Sequence, residues 1–318
     1  MHVNSATVAC LGLSAAYQRT LVFADFRTGA VNRVRERVLS AGGKAVNAAL
    51  ALSHLGRDCA VCGFNGTGET GRFVAAQLAT HGVRDALTSI SGPTRTCTTI
   101  LNLATGEVTE LVEDATLPTI RQLQQLERGG RTLLRKALAG LICGTVPSGI
   151  PDDLWARFAS EAQRRKLPLL IDSHANPLLL ALPYEPLLAK MNLQELEKTF
   201  ALRCRTESRI LATAAKLTAA GAAWALITRG AQPAILVSRD GAAWRCSPPE
   251  VRVVSTTGSG DCVNAGIMHA LLCKPDMLAA VRMGLGCGSA KALSCTPSEF
   301  APAMARKLAA ACRVEQIR

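Results

Sequence analysis

Two short stretches of the sequence gather residue types suited to handling phosphate. The first is Ser255-Thr256-Thr257-Gly258-Ser259-Gly260-Asp261, followed at once by an apolar helical run, Cys262–Cys273. Small residues let successive backbone N–H groups converge on one point, and the start of a helix adds its partial positive charge there. Such an anion hole can stabilise charge on a phosphoryl group in transit. A carboxylate beside it, Asp261, can take a proton from an attacking hydroxyl. A plainer reading makes Asp261 the N-cap of its helix and the glycines a turn. The second stretch is Ala41-Gly42-Gly43-Lys44-Ala45-Val46-Asn47-Ala48-Ala49. Paired glycines let backbone approach a ligand closely. Asn47 offers a donor and an acceptor to neighbouring hydroxyls, and Lys44 offers a cation to a phosphate. Here the plainer reading is a glycine-rich helix entry with a capping Asn.

A third stretch competes with these two. Gly66-Thr67-Gly68-Glu69-Thr70-Gly71 matches the G-x-G-x-x-G turn of dinucleotide-binding proteins, lies between a strand and a helix, and has Asp85 downstream. It follows the second core strand, however, and Asp85 does not end a clear strand. The twelve cysteines are scattered among apolar neighbours. Only Cys59 and Cys62 form a C-x-x-C, with no second pair at a zinc-site spacing. They read as small, reduced core residues.

The elements that must position these residues follow from periodicity. Ala6–Leu11 reads as a strand. Ser14–Ser40 differs in character, with Leu21-Val22-Phe23 and the alternating Val31-Asn32-Arg33-Val34-Arg35 read as exposed strands. Helix Ala45–Leu55, strand Cys59–Phe64 and helix Gly71–His81 follow, then a second alternating region, Thr94–Val112. From there strands and helices alternate: helix Leu117–Leu138, strand Gly140–Cys143, helix Asp152–Arg165, strand Pro168–Asp172, helix Glu207–Ala220 and strand Ala223–Thr228. A hairpin, Ala234–Ser238 with Ala242–Cys246, turns at Arg239-Asp240-Gly241. Helices Cys262–Cys273, Pro275–Ser294 and Pro302–Cys312 complete the chain. Such alternation implies a mostly parallel sheet covered by helices on both faces. The two polar alternating regions fit no such sheet, and they are expected to form a small β lid from segments 13–40 and 92–114 of one domain spanning 1–318.

The 318 residues are 48% hydrophobic, enough for a sizeable core, and no apolar run approaches the length of a membrane span. The start of the chain lacks a basic flank before an apolar stretch, so a cytoplasmic protein is expected. The formal charge of +12 suits an anionic ligand, while an aromatic content of 4% leaves few platforms for stacking single-stranded nucleic acid. Neither a nucleic acid nor a membrane is an expected partner.

Together the two stretches resemble the paired signatures of the ribokinase-like (PfkB) carbohydrate kinases. Thr256-Thr257-Gly258-Ser259-Gly260-Asp261 with Ala265-Gly266 is similar to T-x-G-A-G-D-x-x-x-A/G-G, with Ser259 for the usual Ala, and Gly42-Gly43-Lys44 with Asn47 is similar to the N-terminal signature. Phe26–Arg33, Thr94-Arg95-Thr96-Cys97, Gly106–Leu111 and Gly144-Thr145-Val146-Pro147-Ser148-Gly149 resemble the 1-phosphofructokinase and tagatose-6-phosphate kinase branch. The resemblance implies a three-layer α/β/α fold with a β lid, and ATP-dependent transfer to a hydroxyl of a phosphorylated ketohexose. Asp261 would be the base, with Gly258, Ser259 and Gly260 the anion hole. Ser14, Gln18, Gly42, Gly43, Lys44, Asn47, Arg95 and Thr145 would meet the acceptor, Lys44 and Arg95 through its phosphate.

By the same resemblance, Lys190, Asn192, Thr228, Arg229, Gly230, Thr256, Gly258, Gly260, Leu285, Gly288 and Ser289 would line the ATP site. Asn192 and Glu195, in Lys190-Met191-Asn192-Leu193-Gln194-Glu195-Leu196, would organise Mg²⁺ through water. A monovalent cation such as K⁺ is a further candidate, as is a homodimer formed through the lid. The family's N-P-A-x-D, whose Asp grips the sugar, reads Ser14-Ala15-Ala16-Tyr17-Gln18 here. The acceptor is therefore open among ketohexose phosphates, unphosphorylated sugars and nucleosides, and a catalytically altered metabolite-binding member is the rival class.

Overall fold

The computed structural model describes residues 7–318. Ala6, where the first expected strand begins, lies outside them, as do the residues before it. In chain order, β1 (Thr7–Ser14), β2 (Ala16–Phe23) and β3 (Glu36–Gly42) lead into α1 (Lys44–His54), β4 (Cys59–Gly66) and α2 (Glu69–Thr80). Four strands follow: β5 (Arg84–Asp85), β6 (Thr88–Ile90), β7 (Thr96–Asn102) and β8 (Val108–Val112). Alternation then runs through α3 (Ile120–Lys136), β9 (Ala137–Cys143), α4 (Leu154–Arg164), β10 (Leu169–Asp172) and α5 (Ala175–Ala181). It continues with β11 (Leu188–Asn192), α6 (Leu193–Phe200), α7 (Glu207–Ala219) and β12 (Trp224–Arg229). The hairpin β13 (Gln232–Ser238) and β14 (Ala243–Ser247) precedes α8 (Ser259–Cys273), α9 (Met277–Ala292), α10 (Pro302–Ala311) and β15 (Arg313–Gln316).

The larger sheet has the order β15-β14-β13-β12-β11-β10-β9-β1-β4-β5, with β6 also paired to β4. Its pairs from β12 through β11, β10, β9 and β1 to β4 are parallel, and β13, β14 and β15 add an antiparallel edge. Two apolar cores cover it. One joins α1, α8, α9 and α10 to one face, and the other joins α3 to α7 to the opposite face. Strands buried on both sides read as continuous apolar runs, which is why β9 to β12 lack alternation. Among the described residues no helix is long and apolar enough to cross a membrane.

The smaller sheet has the order β3-β2-β7-β8, with β2–β3 and β7–β8 antiparallel and β2–β7 parallel. Its strands come from the two polar alternating regions. One expectation fails there: Val31-Asn32-Arg33-Val34-Arg35 is loop, and β3 starts only at Glu36. The period-two pattern is present, but Asn32 spends its side chain on local backbone. Its Nδ2 donates to the Arg27 and Ala30 carbonyls and its Oδ1 accepts from Arg27 N–H. Such local bonding competes with a ladder. The short strands β5, β6 and β15, the strand β11 and the helices α5 and α6 were not anticipated. Nine of the twelve cysteines, Cys59 and Cys62 among them, are buried free thiols.

Candidate active site

The carboxyl ends of the parallel strands face the N-termini of α1 and α8, and the chemically equipped residues meet in that crevice, where open α/β sheets place their ligands. Helix α8 begins earlier than its apolar run suggests. Gly258 is its N-cap, at φ 80°, and Ser259 and Gly260 form the first turn. A side chain at 258 would be strained in that left-handed conformation. Asp261 is therefore the third residue of the helix and does not cap it, which removes the plainer reading of this motif. Its Oδ2 instead accepts from Asn47 Nδ2 at 2.8 Å, and Asn47 Oδ1 accepts from Ser298 Oγ at 3.2 Å. Asn47 in turn does not cap α1, whose N-cap is Gly43 at φ 100°. A Cβ on Gly43 would lie 2.4 Å from the Ser14 carbonyl.

The Gly258 and Gly260 N–H groups have no acceptor among the described residues, while Ser259 N–H turns back to Thr256 O. Two unspent donors at a helix start are what an anion needs. The competing turn at Gly66–Gly71 is the opposite case. Gly66, Thr67 and Gly68 donate to Thr94 Oγ1, Ile90 O and Gly92 O, and a Cβ on Gly71 would strike Gly66 O. With its donors used and its space filled by the chain at 90–94, that turn cannot cradle a pyrophosphate.

Behind Asp261 lies a buried polar network. Asp172 Oδ2, at the end of β10, accepts from Lys190 Nζ and from Asn264 Nδ2, each at 2.6 Å. Asn264 sits one turn beyond Asp261 on α8, so this bond fixes the face that α8 turns to the crevice. Lys190 Nζ also donates to Gly260 O at 3.3 Å, anchoring the first turn of α8 to β11. Lys44 Nζ lies 3.2 Å from Glu195 Oε1 and 3.5 Å from Asp172 Oδ1. Glu195 and Asn192 form the reciprocal cap of α6, Glu195 N–H donating to Asn192 Oδ1 and Asn192 N–H to Glu195 Oε2.

The electrostatics separate the two buried carboxylates. Burial pushes the Asp261 carboxyl up, Asp172 adds to the rise, and Lys44, Lys190 and Asn47 only partly offset it, leaving it at about 6. Burial also raises Asp172, but the charges of Lys190 and Lys44, with the hydrogen bonds from Lys190 and Asn264, outweigh it and hold that carboxyl below its usual range. One group thus stays ionised while its neighbour is poised near neutrality to exchange a proton. Lys44 is held above its ordinary value, chiefly by Asp172.

A cleft of about 250 Å³ adjoins this network, its wall including Ser14, Lys44, Arg95, Asp114 and Thr145. The Arg95 guanidinium makes one long bond, 3.4 Å to Glu113 O, and its buried Nε has no acceptor. Gln18 is absent from that wall. It is buried between β3 and β7, donates to Thr99 Oγ1 at 2.9 Å and turns its carbonyl toward Gly42. On the other side, Thr228 pairs with Asn192 across β11 and β12, and its Oγ1 donates to Met191 O. Arg229 is committed to its own hairpin at Gln232 and Pro233, where Gly230 makes the turn at φ 64°. Leu285, Gly288 and Ser289 lie on α9, and Gly288 packs against Val263 and the Ser259 carbonyl at the start of α8. Thr256 is exposed at the mouth of the loop. Sequence reasoning missed Asp172, Asn264 and Ser298. For Asp172 a signal existed, since an acidic residue ended an otherwise apolar expected strand.

Comparison with known proteins bears on the same fold. A model of the pfkB family carbohydrate kinase matches residues 5–303. A 1-phosphofructokinase of Rhodobacter capsulatus is 30% identical over 277 residues, 87% of each chain. Among solved structures, a possible 1-phosphofructokinase from Thermotoga maritima superposes with a TM-score of 0.88 at 20% identity, covering 98% of this chain and 100% of that one. Phosphofructokinase-2 from Escherichia coli, solved in complex with potassium, gives 0.85 at 23% identity, covering 96% and 98%. The structural likenesses carry the expected three-layer α/β/α fold, and the sequence matches carry more: the chain belongs to the pfkB family of carbohydrate kinases.

Proposed function

We propose that this carbohydrate kinase transfers the γ-phosphoryl group of MgATP to a hydroxyl of a phosphorylated ketohexose, with Asp261 as the general base. The observation that carries the reading is one juxtaposition: a buried carboxylate poised near neutrality, in the same helical turn as the two unspent N–H donors of Gly258 and Gly260. Asp261 draws the proton from the acceptor hydroxyl as its oxygen attacks phosphorus. The two N–H groups and the start of α8 stabilise the charge that spreads over the transferring phosphoryl oxygens. Asn47 holds the carboxylate by one oxygen and leaves the other for the hydroxyl.

Two cations on the cleft wall, Lys44 and Arg95, favour an acceptor that already carries a phosphate, and the Rhodobacter relative is a 1-phosphofructokinase by name. Nucleotide lies on the other side of Asp261, toward Lys190, Asn192, Thr228 and α9. The carboxylate offered to Mg²⁺ there is Glu195, half-buried at the start of α6 beside Lys44, since Asp172 Oδ1 is buried and already lies 3.5 Å from Lys44 Nζ. Glu195 would hold the ion through water, with Asn192 fixing Glu195 by the helix cap. When bound, Mg²⁺ neutralises charge on the nucleotide phosphates. The Escherichia coli neighbour was solved with potassium, an ion that asks for converging carbonyl oxygens.

The smaller sheet acts as a lid of a single 1–318 domain. Its exposed Leu111 and Val112 on β8, with the exposed Val31 and Leu103 in the connecting loops, favour pairing of two copies through it, which sedimentation across a concentration series would test. The functional reading is tested by ADP release across a panel of sugars, sugar phosphates and nucleosides. Turnover confined to ketohexose phosphates is expected, and equal turnover of free hexoses would overturn the assignment of Lys44 and Arg95.

A further inference from the structure

Lys291, on α9, is 0% exposed and ranks among the largest fully buried side chains of the chain. No carboxylate lies within ion-pairing distance of it among the described residues. Its ammonium donates instead to two backbone carbonyls, Ser255 O at 2.9 Å and Ser294 O at 3.0 Å. Burying an unpaired ammonium is costly, and a methionine would fill similar volume without that cost. What the two carbonyls hold explains the charge. Ser255 begins the loop that ends at Gly258, and its Oγ accepts from Thr257 N–H. Ser294 begins the loop that ends at Ser298, which holds Asn47 and through it Asp261. One ammonium therefore ties the loop bearing the anion-binding N–H groups to the loop that orients the base.

Resting on the phosphoryl-transfer reading above, we propose that Lys291 is a built-in monovalent cation that positions both loops, so that nucleotide binding needs no added K⁺. Carbonyl oxygens are also the groups that bind K⁺, and an ammonium carries the same single charge. In this chain the two buried carbonyls behind the anion-binding loop are already held by a tethered cation. With the Lys291 ammonium 2.9 Å and 3.0 Å from them, these carbonyls are not free for a separate ion. Lys291 touches neither substrate nor reacting atoms; it is a positioning residue.

The experiment compares wild type with Lys291→Ala and Lys291→Met. The affinity for Mg²⁺–adenylyl imidodiphosphate is measured by calorimetry in tetramethylammonium, potassium and ammonium chloride at equal ionic strength. Melting temperature and kcat on the best acceptor are recorded in each salt. The wild-type affinity should agree within about twofold among the salts, the scatter such titrations carry on a scale where tenfold is 1.4 kcal/mol. In tetramethylammonium, Lys291→Ala should bind the nucleotide analogue at least about tenfold more weakly and lose about 10²-fold in kcat, the scale of an ångström's misplacement. Potassium or ammonium, entering the space left by the side chain, should restore part of both, and should not do so in Lys291→Met, where the space stays filled.

A wild-type affinity that rises tenfold on adding K⁺ would overturn the proposal, and this arm stands even if neither variant folds. A lowered melting temperature with unchanged affinity and no cation-specific rescue would also overturn it, leaving Lys291 a packing residue. Wild type that binds the analogue but phosphorylates no acceptor would refute the functional reading alone. Wild type that fails to bind it would refute both.

Discussion

At the scale of single residues, the site turns on two buried carboxylates that share Lys44 and Lys190 as neighbours yet are opposite in character. Asp261 is buried with a single amide donor, so its proton is held up to about 6. Asp261→Asn keeps the shape and cannot accept a proton. The variant should lose about 10²–10⁴-fold in kcat, the contribution of a positioned base. Its melting temperature should stay near wild type, since a buried charge has been removed and no cap lost. In the wild type, kcat/KM should climb with pH through an apparent pKa of about 6 and level off above it, a limb the variant should lack. A pH profile and a thermal melt of both proteins check this, and a fully active Asp261→Asn would sink the assignment.

Asp172 behaves in the other sense. Its carboxyl is held below the ordinary 3.8 by Lys190 and Lys44, so the ion pair stabilises the fold fully above pH 3.8 and is lost as pH falls through the lower folded-state value. Asp172→Ala strands a buried ammonium on Lys190 and should cost about 3–5 kcal/mol, read as a lowered urea midpoint. Of this pair only Asp261 was legible in the sequence, because its glycines and helix lie beside it. The partners that give Asp172 its role, Lys190 and Asn264, lie 18 and 92 residues away; Lys190 stands in a recognisable motif, but no local pattern pairs either of them with Asp172.

At the scale of elements, the placement of Asp261 depends on how closely α8 and α9 approach. A Cβ on Gly266 would lie 2.8 Å from both Cys287 Sγ and Gly284 Cα. Gly266→Ala should therefore push the helices apart and destabilise the protein by about 1–3 kcal/mol, the usual range for overpacking. It should also lower kcat while leaving the acceptor KM nearly alone. Thermal melts with steady-state kinetics test it, and a stable, fully active variant would show that the spacing is not limiting. Helices with strong apolar periods and glycine or proline punctuation were legible to within a few residues, as α1, α4 and α7 illustrate. The start of α8 was placed at Cys262 because Ser259 and Gly260 carry no helix signal; they are helical because Gly258 supplies the left-handed turn before them. Strand β11 was seen as a motif and not as a strand. Its sequence, Leu-Ala-Lys-Met-Asn, is buried through Met191 for reasons of its neighbours β10 and β12, and its central lysine, expected in the ATP site, is a buried partner of Asp172.

At the scale of the whole molecule, the parallel sheet and the separate polar sheet were both legible, since one pattern is continuous and the other alternates. What the sequence could not convey was which wall of the crevice each lid residue faces. Arg95 lines the cleft and Gln18 does not, although one precedes β7 directly and the other lies in its neighbour β2. Arg95→Ala should accordingly raise the acceptor KM by about tenfold or more, as loss of a charge-assisted phosphate contact does, with the ATP KM little changed. Gln18→Asp should chiefly lower stability by burying a carboxylate opposite Thr99, without reordering acceptor preference. Initial-rate kinetics over the sugar-phosphate panel and thermal melts check both, and a reordered preference in Gln18→Asp would bring that residue back to the acceptor.

The smaller sheet also grips the two loops beneath it, Thr257 Oγ1 donating to Glu110 Oε1 at 2.6 Å and Thr20 Oγ1 donating to Cys295 O at 3.3 Å. Those loops carry the unpaired N–H groups at the start of α8 and, through Ser298 and Asn47, hold Asp261, the proposed base. On the proposed function, a ligand that draws the sheet toward the crevice pulls on the same bonds that shape the proposed phosphate site, so the two substrates should bind to one shared equilibrium. Linkage then makes the effect mutual: the factor by which a sugar phosphate changes nucleotide affinity equals the factor by which nucleotide changes sugar-phosphate affinity. Thr257→Val should shrink that common factor while leaving the affinity for either ligand alone within about 1.4 kcal/mol of wild type, a tenfold margin. Paired calorimetric titrations in both orders would measure it, and a factor of one in the wild type would mean that the two halves of the crevice fill independently.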